Sequence, residues 1–268
     1  MGAPRLGRWS RSIAPSANAW RARACAASTK PACASQARPV GCTPLSTATH
    51  TFYRAGEPRS AVFACKDGVV VHDHWRAYYG LAEVDHADCN AHLLGELQAV
   101  SEFDREPWAE ALSAALLEAN KAVRDAKARS ASALECEAIK LFEERYWAAV
   151  REGLAWHRSL PAFDGSTNAK KRKKQRPAHN LLNRFKTFKE ETLRFLTDFE
   201  VPFTNNLPEQ DLRMMKAKMK ISGGFRTEKG AADFARLRSV ISSARKQGFN
   251  ILAALTQTPE RLAVELNL

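Results

Sequence analysis

The chain has 268 residues, 45% of them hydrophobic, which is enough to bury at least one full core and to form one or two domains. Its 41 lysines and arginines outnumber its 29 acidic residues, and the net charge of +12 favours a polyanionic partner, nucleic acid before an anionic membrane surface. No run of about eighteen apolar residues occurs, so the sequence predicts no membrane-spanning helix and no membrane partner. The six cysteines are scattered, which argues against a disulfide framework.

Residues 1–46 form a basic leader that is rich in alanine, serine and proline and contains no acid. The leader lacks helical and strand periodicity, so we expect it to be disordered. Its composition fits a transit peptide, a basic arm that binds DNA, or sequence translated out of its original frame.

The stretch from Val62 to Asp73 reads as a hairpin or a pair of strands that ends at an acid. Asp73 is therefore predicted at the carboxyl end of a strand. It could instead cap a short helix that carries Trp75, Tyr78 and Tyr79. The flanking His72 and His74 allow a zinc site, although histidines beside a turn are more often polar surface.

Val84 to Ala91 is predicted to be a strand that leads into a helix. Cys89 and His92 form a lone Cys-x-x-His there, which is half of a zinc site with no second pair at a suitable spacing. A small buried cysteine and a hydrogen-bonded histidine explain the same residues.

Residues 107–157 repeat apolar residues at helical spacing and predict two long helices packed as a hairpin. Phe142, Tyr146 and Trp147 could stack on nucleic-acid bases, but we assign them to the core of this hairpin. One further helix is predicted from Asn180 to Phe199.

A cationic loop separates these helical parts. It fits a solvated linker, a phosphate-binding segment or a nuclear import signal. Its cations are Lys170, Lys171, Arg172, Lys173, Lys174 and Arg176.

The stretch from Val201 to Phe225 contains a helix that begins near Asn205 or Asn206, with Pro208 and Glu209 in its first turn. Leu212, Met215 and Met219 share one face of it. Another face carries Glu209 followed by three cations, Arg213, Lys216 and Lys220. This face is either an ordinary surface with a Glu209–Arg213 pair, or a carboxylate beside phosphate-binding groups. A helix from Glu228 to Lys246 and two short closing helices follow; the predicted core face of the longer helix is formed by Phe234, Leu237, Val240 and Ile241.

The run Asn205-Asn206-x-x-Glu209-x-x-x-Arg213, with Lys220 to Phe225 after it, resembles the end of the catalytic domain in insertion sequence 66 family transposases. Gln210 stands where many members carry arginine. His72-Asp73-His74-Trp75 resembles the site of the family's second catalytic aspartate, in place of the more usual Asp-Gly-Tyr. Cys89 and His92 also belong to the resemblance, which implies that they support the active site.

The resemblance implies that Asp73 and Glu209 are two of the three catalytic, metal-binding acids of an Asp-Asp-Glu site. That site would bind Mg²⁺ or Mn²⁺ if the protein is active. The first acid is expected on an early strand upstream of Thr47, yet no Asp or Glu precedes Glu57. Because the family-like text begins near Thr47, we favour the out-of-frame origin for the leader, and hence a truncated or frameshifted gene.

The fold that the resemblance implies is α/β, with a ribonuclease-H-like core whose sheet is incomplete and a large α-helical insertion, so that the chain is mostly helical. The implied division is a leader at 1–46, partial core strands and a helix at 47–106, an insertion and basic linker at 107–178, and a C-terminal helical part with the third acid at 179–268.

The implied function is that of a DNA transposase catalytic-domain fragment, inactive because its first acid is missing. The alternative is a non-catalytic DNA-binding remnant that occupies transposon ends, and the leader would also suit an organelle-targeted RNA-binding protein. The implied partner is DNA at transposon ends, in the bacterial cytoplasm, with a homo-oligomer allowed. The predicted DNA-binding residues are Lys170, Lys171, Arg172, Lys173, Lys174, Arg176, Arg213, Lys216 and Lys220.

Overall fold

The computed structural model describes residues 24–26, 41–56, 68–76, 78–161, 175–222, 225 and 227–266. These residues form two compact units. The first combines Met1–His86 with Asn205–Leu268, and the second is Ala87–Thr204. Helices predominate and accompany one five-stranded sheet, as predicted for a mostly helical α/β chain. None of the described helices is long and apolar enough to cross a membrane.

The sheet is organised around a short central strand. The strands are β1 Ala24–Ala26, β2 Gly41–Ser46, β3 Thr51–Gly56, β4 Val69–His72 and β5 Asp85–Asp88. They lie in the order β3-β2-β1-β4-β5. β2 runs antiparallel to both β1 and β3, whereas β1 and β4 are parallel. Buried residues on all four positions of β4 make it a core strand of the first unit.

Two strands correct the prediction that the whole leader is disordered. β1 and β2 both lie within residues 1–46. β2 pairs along its full length with β3, from Gly41 opposite Gly56 to Ser46 opposite Thr51. β2 could not be predicted from its own residues, because proline, present here as Pro44, is rare in strands. The strand is stabilised instead by pairing with a separate segment. Residues 1–23 and 27–40 lie outside the described part of the chain.

Two long helices of the first unit accompany the sheet, α6 Asn206–Ser222 and α7 Glu228–Lys246. Both confirm the predicted helices, and α7 has the predicted bounds. The buried face of α7 differs from the prediction in part, because Val240 is buried as predicted, whereas Leu237 is 46% exposed and small residues are buried instead. They are Ala231, Ala235, Ser239, Ser242, Ser243 and Ala244.

The face of α7 that carries these small residues lies close to β3, and its serines form hydrogen bonds with the β3 backbone. Thr51 N–H donates to Ser243 Oγ at 3.0 Å, and Tyr53 N–H donates to Ser239 Oγ at 2.9 Å. The serine hydroxyls donate in turn to carbonyls, Ser243 to Thr51 and Ser239 to Ala235. Helix and strand therefore meet through polar contacts that large side chains would prevent.

The two predicted closing helices are present as α8 Ile251–Thr256 and α9 Pro259–Glu265. The chain leaves α7 at Gly248, whose φ of 75° favours glycine. Val240, Ala244, Ala254 and Leu262 form a small apolar cluster between these helices and α7.

The second unit is helical. Its helices are α1 Asn90–Ala99, a π-helix at Val100–Asp104, α2 Pro107–Ala128, α3 Cys136–Ser159, α4 Pro177–Thr187 and α5 Lys189–Thr197. α2 and α3 pack against each other, which confirms the predicted hairpin. Leu112, Leu116 and Val150 are among its fully buried residues.

Glycine at position 153 permits the tightest approach in this hairpin. A Cβ atom there would lie 2.7 Å from Leu182 Cδ2 and 2.8 Å from Trp108 Cδ2, distances that real Cβ atoms do not adopt. Trp108 Nε1 donates to Glu106 Oε2 at 2.5 Å, and the same oxygen lies 2.9 Å from His157 Nε2. The indole is thus fixed by both a polar contact and close packing.

Two predictions for the second unit were wrong in part. The single helix expected from Asn180 to Phe199 is two helices, α4 and α5, which meet at Phe188, where φ is −112° and ψ is 39°. Of the three aromatic residues assigned to the core, only Tyr146 is fully buried. Phe142 and Trp147 are half-buried; Trp147 is rotated by about 100° from Tyr146 around α3, whereas Phe142 shares the face of Tyr146 one turn earlier.

Candidate functional site

Asp73 lies immediately after β4, at the carboxyl end of the strand, as predicted. It is half-buried, yet its Oδ1 is fully shielded from solvent and accepts no hydrogen bond from any described residue. Burial, and secondly the charge of Asp73, raise the pKa of the neighbouring Tyr78 well above its ordinary value. Asp73 therefore presents a carboxylate at the end of the strand with one shielded oxygen that no described residue binds.

The histidines around Asp73 are occupied by hydrogen bonds. His74 N–H donates to His72 Nδ1 at 3.2 Å, which leaves the proton of His72 on Nε2. That nitrogen lies 3.3 Å from His86 Nδ1, and His86 Nε2 in turn lies 3.2 Å from the carbonyl oxygen of Leu81. His72 is fully buried, which corrects the expectation of a polar surface histidine, and each of its two nitrogens has a neighbour within hydrogen-bonding distance.

Glu209 lies in the first turn of α6 and is half-buried. Three cations of its helix, Arg213, Lys216 and Lys220, are exposed, and Arg213 forms no ion pair with any residue in the described ranges. The ordinary Glu209–Arg213 pair is thus not formed. Lys216 and Lys220, three and seven residues further on, share the face of Arg213 and likewise make no ion pair with described residues.

Asp211 is the residue that sequence reasoning missed. Its Oδ2 accepts hydrogen bonds from Ser46 Oγ at 2.6 Å and Thr51 Oγ1 at 2.9 Å, and lies 3.2 Å from Lys246 Nζ. The Tyr53 hydroxyl donates to the Asp211 carbonyl at 2.8 Å. Asp211 therefore ties α6, and with it Glu209, to β2, β3 and α7.

One sequence signal could have revealed Asp211. Pro208 and Leu212 are buried, and Asp211 lies beside them on the inner side of α6, where a carboxylate requires partners. The hydroxyl-rich segment from Ser46 to Thr51 offers such partners. No spacing rule connects residues so far apart in the chain.

Cys89 and His92 lie in the second unit, at the start of α1. Cys89 is buried and precedes the helix without a side-chain capping bond. His92 is exposed, and its N–H donates to the Cys89 carbonyl at 3.1 Å. Burial of Cys89 fits both interpretations, so the role of Cys89 and His92 stays a prediction.

The structure describes one of the six cations of the basic loop. Arg176 is half-buried and directly precedes α4. Lys170, Lys171, Arg172, Lys173 and Lys174 lie outside the described residues, so their role stays a prediction.

The centre of the sheet carries no acid. β1 consists of Ala24, Cys25 and Ala26, between β2 and β4. The first acid of the chain is Glu57, which lies outside the described residues. The first unit thus contributes Asp73 and Glu209 but no carboxylate from its central strand.

The family comparison extends over most of the chain. A family model described as "Transposase IS66 family" matches residues 33–233. The match begins well before Thr47, so the family-like sequence is longer than the motifs alone indicated and includes all of β2. Among curated proteins and solved structures, none matches.

Proposed function

This chain belongs to the IS66 family of transposases, and we propose that it is a catalytic domain whose acid set is incomplete, with Asp73 and Glu209 as its two remaining metal-binding carboxylates. It would recognise DNA at transposon ends while cleaving it poorly or not at all. The proposal concerns the first unit, which contains both residues.

The sheet supports a ribonuclease-H-like core. Its order β3-β2-β1-β4-β5, with β2 antiparallel to its neighbours and β1 parallel to β4, is the arrangement that such a core requires. In this arrangement the family resemblance assigns the first acid to the early strand and the second to the end of β4. Asp73 occupies the second position, and Ala24–Ala26 leave the first position without a carboxylate.

The observation that carries the metal assignment is the state of Asp73. A shielded carboxylate oxygen that accepts no hydrogen bond from a described residue is costly unless a cation or another donor binds it. Carboxylate oxygens are the ligands that Mg²⁺ and Mn²⁺ prefer, so Asp73 and Glu209 fit such an ion. When bound, divalent ions would activate the attacking water or 3′-hydroxyl and stabilise the leaving oxygen.

The other residues of the site act by position and charge. Asp211 fixes the first turns of α6, so that Glu209 is presented from an anchored helix. Arg213, Lys216 and Lys220, which form no ion pair with a described residue, offer positive charge on the same helix, where a phosphate backbone can bind. Two carboxylates without a third would hold the ions less tightly than a complete site.

Manganese binding tests the proposal without requiring catalysis. We expect the full chain to bind Mn²⁺ in a calorimetric titration, and Asp73→Asn and Glu209→Gln each to weaken binding by at least about tenfold, since each removes an anionic ligand. Asp233→Asn is the matched control, because Asp233 is an exposed acid on α7 that already contacts Lys229 and Arg236. If Glu209→Gln binds Mn²⁺ with unchanged affinity, the assignment of Glu209 as a metal ligand is wrong.

The second candidate function is DNA binding without any metal chemistry. The exposed cations of α6, Arg213, Lys216 and Lys220, favour it. A chain that retains transposon-end duplex in EDTA, binds no Mn²⁺ and makes no nicks would be this remnant. A chain that nicks the duplex in Mn²⁺ would show that the two acids suffice.

A further inference from the structure

The second unit has an open groove of about 670 Å³ along the outer side of α3. Its lining includes the half-buried Trp147 and four exposed cations, Lys140, Arg151, Arg158 and Lys186. The first three cations and Trp147 come from α3, whereas Lys186 comes from the end of α4. An aromatic side chain thus lies in the middle of a cationic channel.

The spacing along α3 makes this groove continuous. Lys140, Trp147, Arg151 and Arg158 are separated by seven, four and seven residues, and such intervals return to the same helix face. At a rise of about 1.5 Å per residue, Lys140 and Arg158 are about 27 Å apart along the axis. The groove is therefore long enough to follow several nucleotides.

The charges of the groove favour a polyanion. None of its four cations forms an ion pair with a residue in the described part of the chain. The groove also contains two acids, but Glu143 is already paired with Lys189 at 2.9 Å, which leaves Glu144 as the opposing charge. A protein surface of ordinary composition would gain little here, whereas a phosphate backbone would neutralise the excess.

Hydrogen bonds within α3 orient the two arginines. Arg151 Nε donates to the Trp147 carbonyl and Arg158 Nε donates to the Leu154 carbonyl, each at 3.2 Å. These bonds use one donor of each guanidinium, so the terminal nitrogens remain for phosphate oxygens. Both side chains are thereby held along the groove.

Trp147 is supported from beneath. Its ring packs edge-on against the buried Tyr146 at a centroid distance of 6.0 Å, and the Tyr146 hydroxyl donates to the Phe185 carbonyl at 2.7 Å. A supported, half-buried indole between cations is suited to stack on an unpaired base. Bases within a duplex have their faces covered, so they cannot use it.

We propose that this groove binds a single-stranded DNA segment, with a base stacked on Trp147 and phosphates on Lys140, Arg151, Arg158 and Lys186. The inference rests on the proposed function in taking DNA as the substrate of the chain, but it does not depend on metal binding by Asp73 and Glu209. It gives the helical unit the task of holding a strand separated from its duplex.

Fluorescence anisotropy in EDTA tests this groove with the full chain. The probes are a labelled fifteen-nucleotide oligo-dT and a duplex of equal length. Trp147→Ala should weaken single-strand binding by about 5- to 100-fold, the loss expected for one stacked base, and change duplex binding less than about twofold. Trp147→Phe should restore most of the affinity, because a phenyl ring also stacks on a base, and the unchanged duplex binding separates stacking from a merely structural role.

Trp156→Ala is the matched control, because Trp156 lies on the same helix, is 47% exposed and does not line the groove. It should leave both affinities unchanged. Equal single-strand losses for Trp147→Ala and Trp156→Ala, or no loss for Trp147→Ala, would overturn the inference. A chain that binds neither probe would contradict the proposed function as well, whereas an altered Mn²⁺ titration cannot affect a measurement made in EDTA.

Discussion

The two units hold their long helices by different means. In the first, α7 places alanines and serines against β3, and α6 is tied down by the carboxylate of Asp211. In the second, α2 and α3 interlock through large apolar side chains, and Gly153 provides the room for Trp108. Polar contacts depend on direction and apolar packing depends on volume, so the units should respond to different substitutions.

The largest effect should come from adding volume to the second unit. Gly153→Ala would place a Cβ atom 2.7 Å from Leu182 and 2.8 Å from Trp108, both fully buried. We expect a loss of about 2 to 3 kcal/mol, since overpacking outweighs the roughly 1 kcal/mol gained in helix propensity. Hydrogen exchange should rise in peptides from α2 and α3 and not in those from α7.

Gly95→Ala is the matched control, because Gly95 lies within α1 and a Cβ atom there has nothing within 4 Å. Its expected effect is a stabilisation of up to about 1 kcal/mol. If the two glycine variants shift exchange alike, the tight contact at Gly153 does not limit this unit.

A smaller effect is expected from removing a charge in the first unit. Asp211→Asn keeps the volume but weakens the bonds from Ser46, Thr51 and Lys246. We expect a loss of about 1 to 2 kcal/mol, typical of bonds to a charged group, with faster exchange confined to α6 and the elements it contacts through Asp211, namely β2, β3 and the end of α7. Asp233→Asn on the surface of α7 should leave the denaturation midpoint unchanged, and a comparable loss there would remove the special role of Asp211.

The smallest effect concerns pH. Burial, and secondly the neighbouring His157, lower the pKa of His179. The unfolded chain, with an ordinary histidine pKa of about 6.5, then binds more protons than the folded chain, so this contribution to stability is lost as pH falls. His179→Gln should make the melting temperature fall slightly less between pH 7 and pH 5. An identical fall in melting temperature for both proteins would show that His179 does not contribute to the pH dependence of stability.

Local signals predicted much of this structure. The bounds of α7, the hairpin of α2 and α3, the start of α6 and the position of Asp73 after β4 all follow from periodicity, caps and turn residues nearby in the sequence. These features are decided within a few turns of chain, where sequence patterns are most informative.

Features that depend on distant partners were missed. β2 contains Pro44 and is stabilised by its pairing with β3, so the pattern of its own residues did not predict a strand. The buried face of α7 follows the small residues that fit against β3 rather than the larger Leu237. Asp211 acquires its role from residues about 160 positions earlier, such as Thr51.

The site was predicted mainly through family resemblance. The structure brings Asp73 and Glu209 into one unit but does not test their metal binding, which stays a prediction. Trp147 shows the opposite case, since its helical spacing alone could not distinguish a core residue from one that lines a groove. The exposed fraction of the Trp147 side chain distinguishes the two cases, and that fraction depends on which residues pack around the helix.

The serine contacts along β3 also affect how copies of this chain can associate. β3 is the last strand on its side of the sheet, and such a strand normally offers unpaired amide groups to any extended segment nearby. Here the amides of Thr51 and Tyr53 are already bound by Ser243 and Ser239. A strand from a second molecule would have to displace α7 first, so growth of the sheet into a larger aggregate is blocked at these positions.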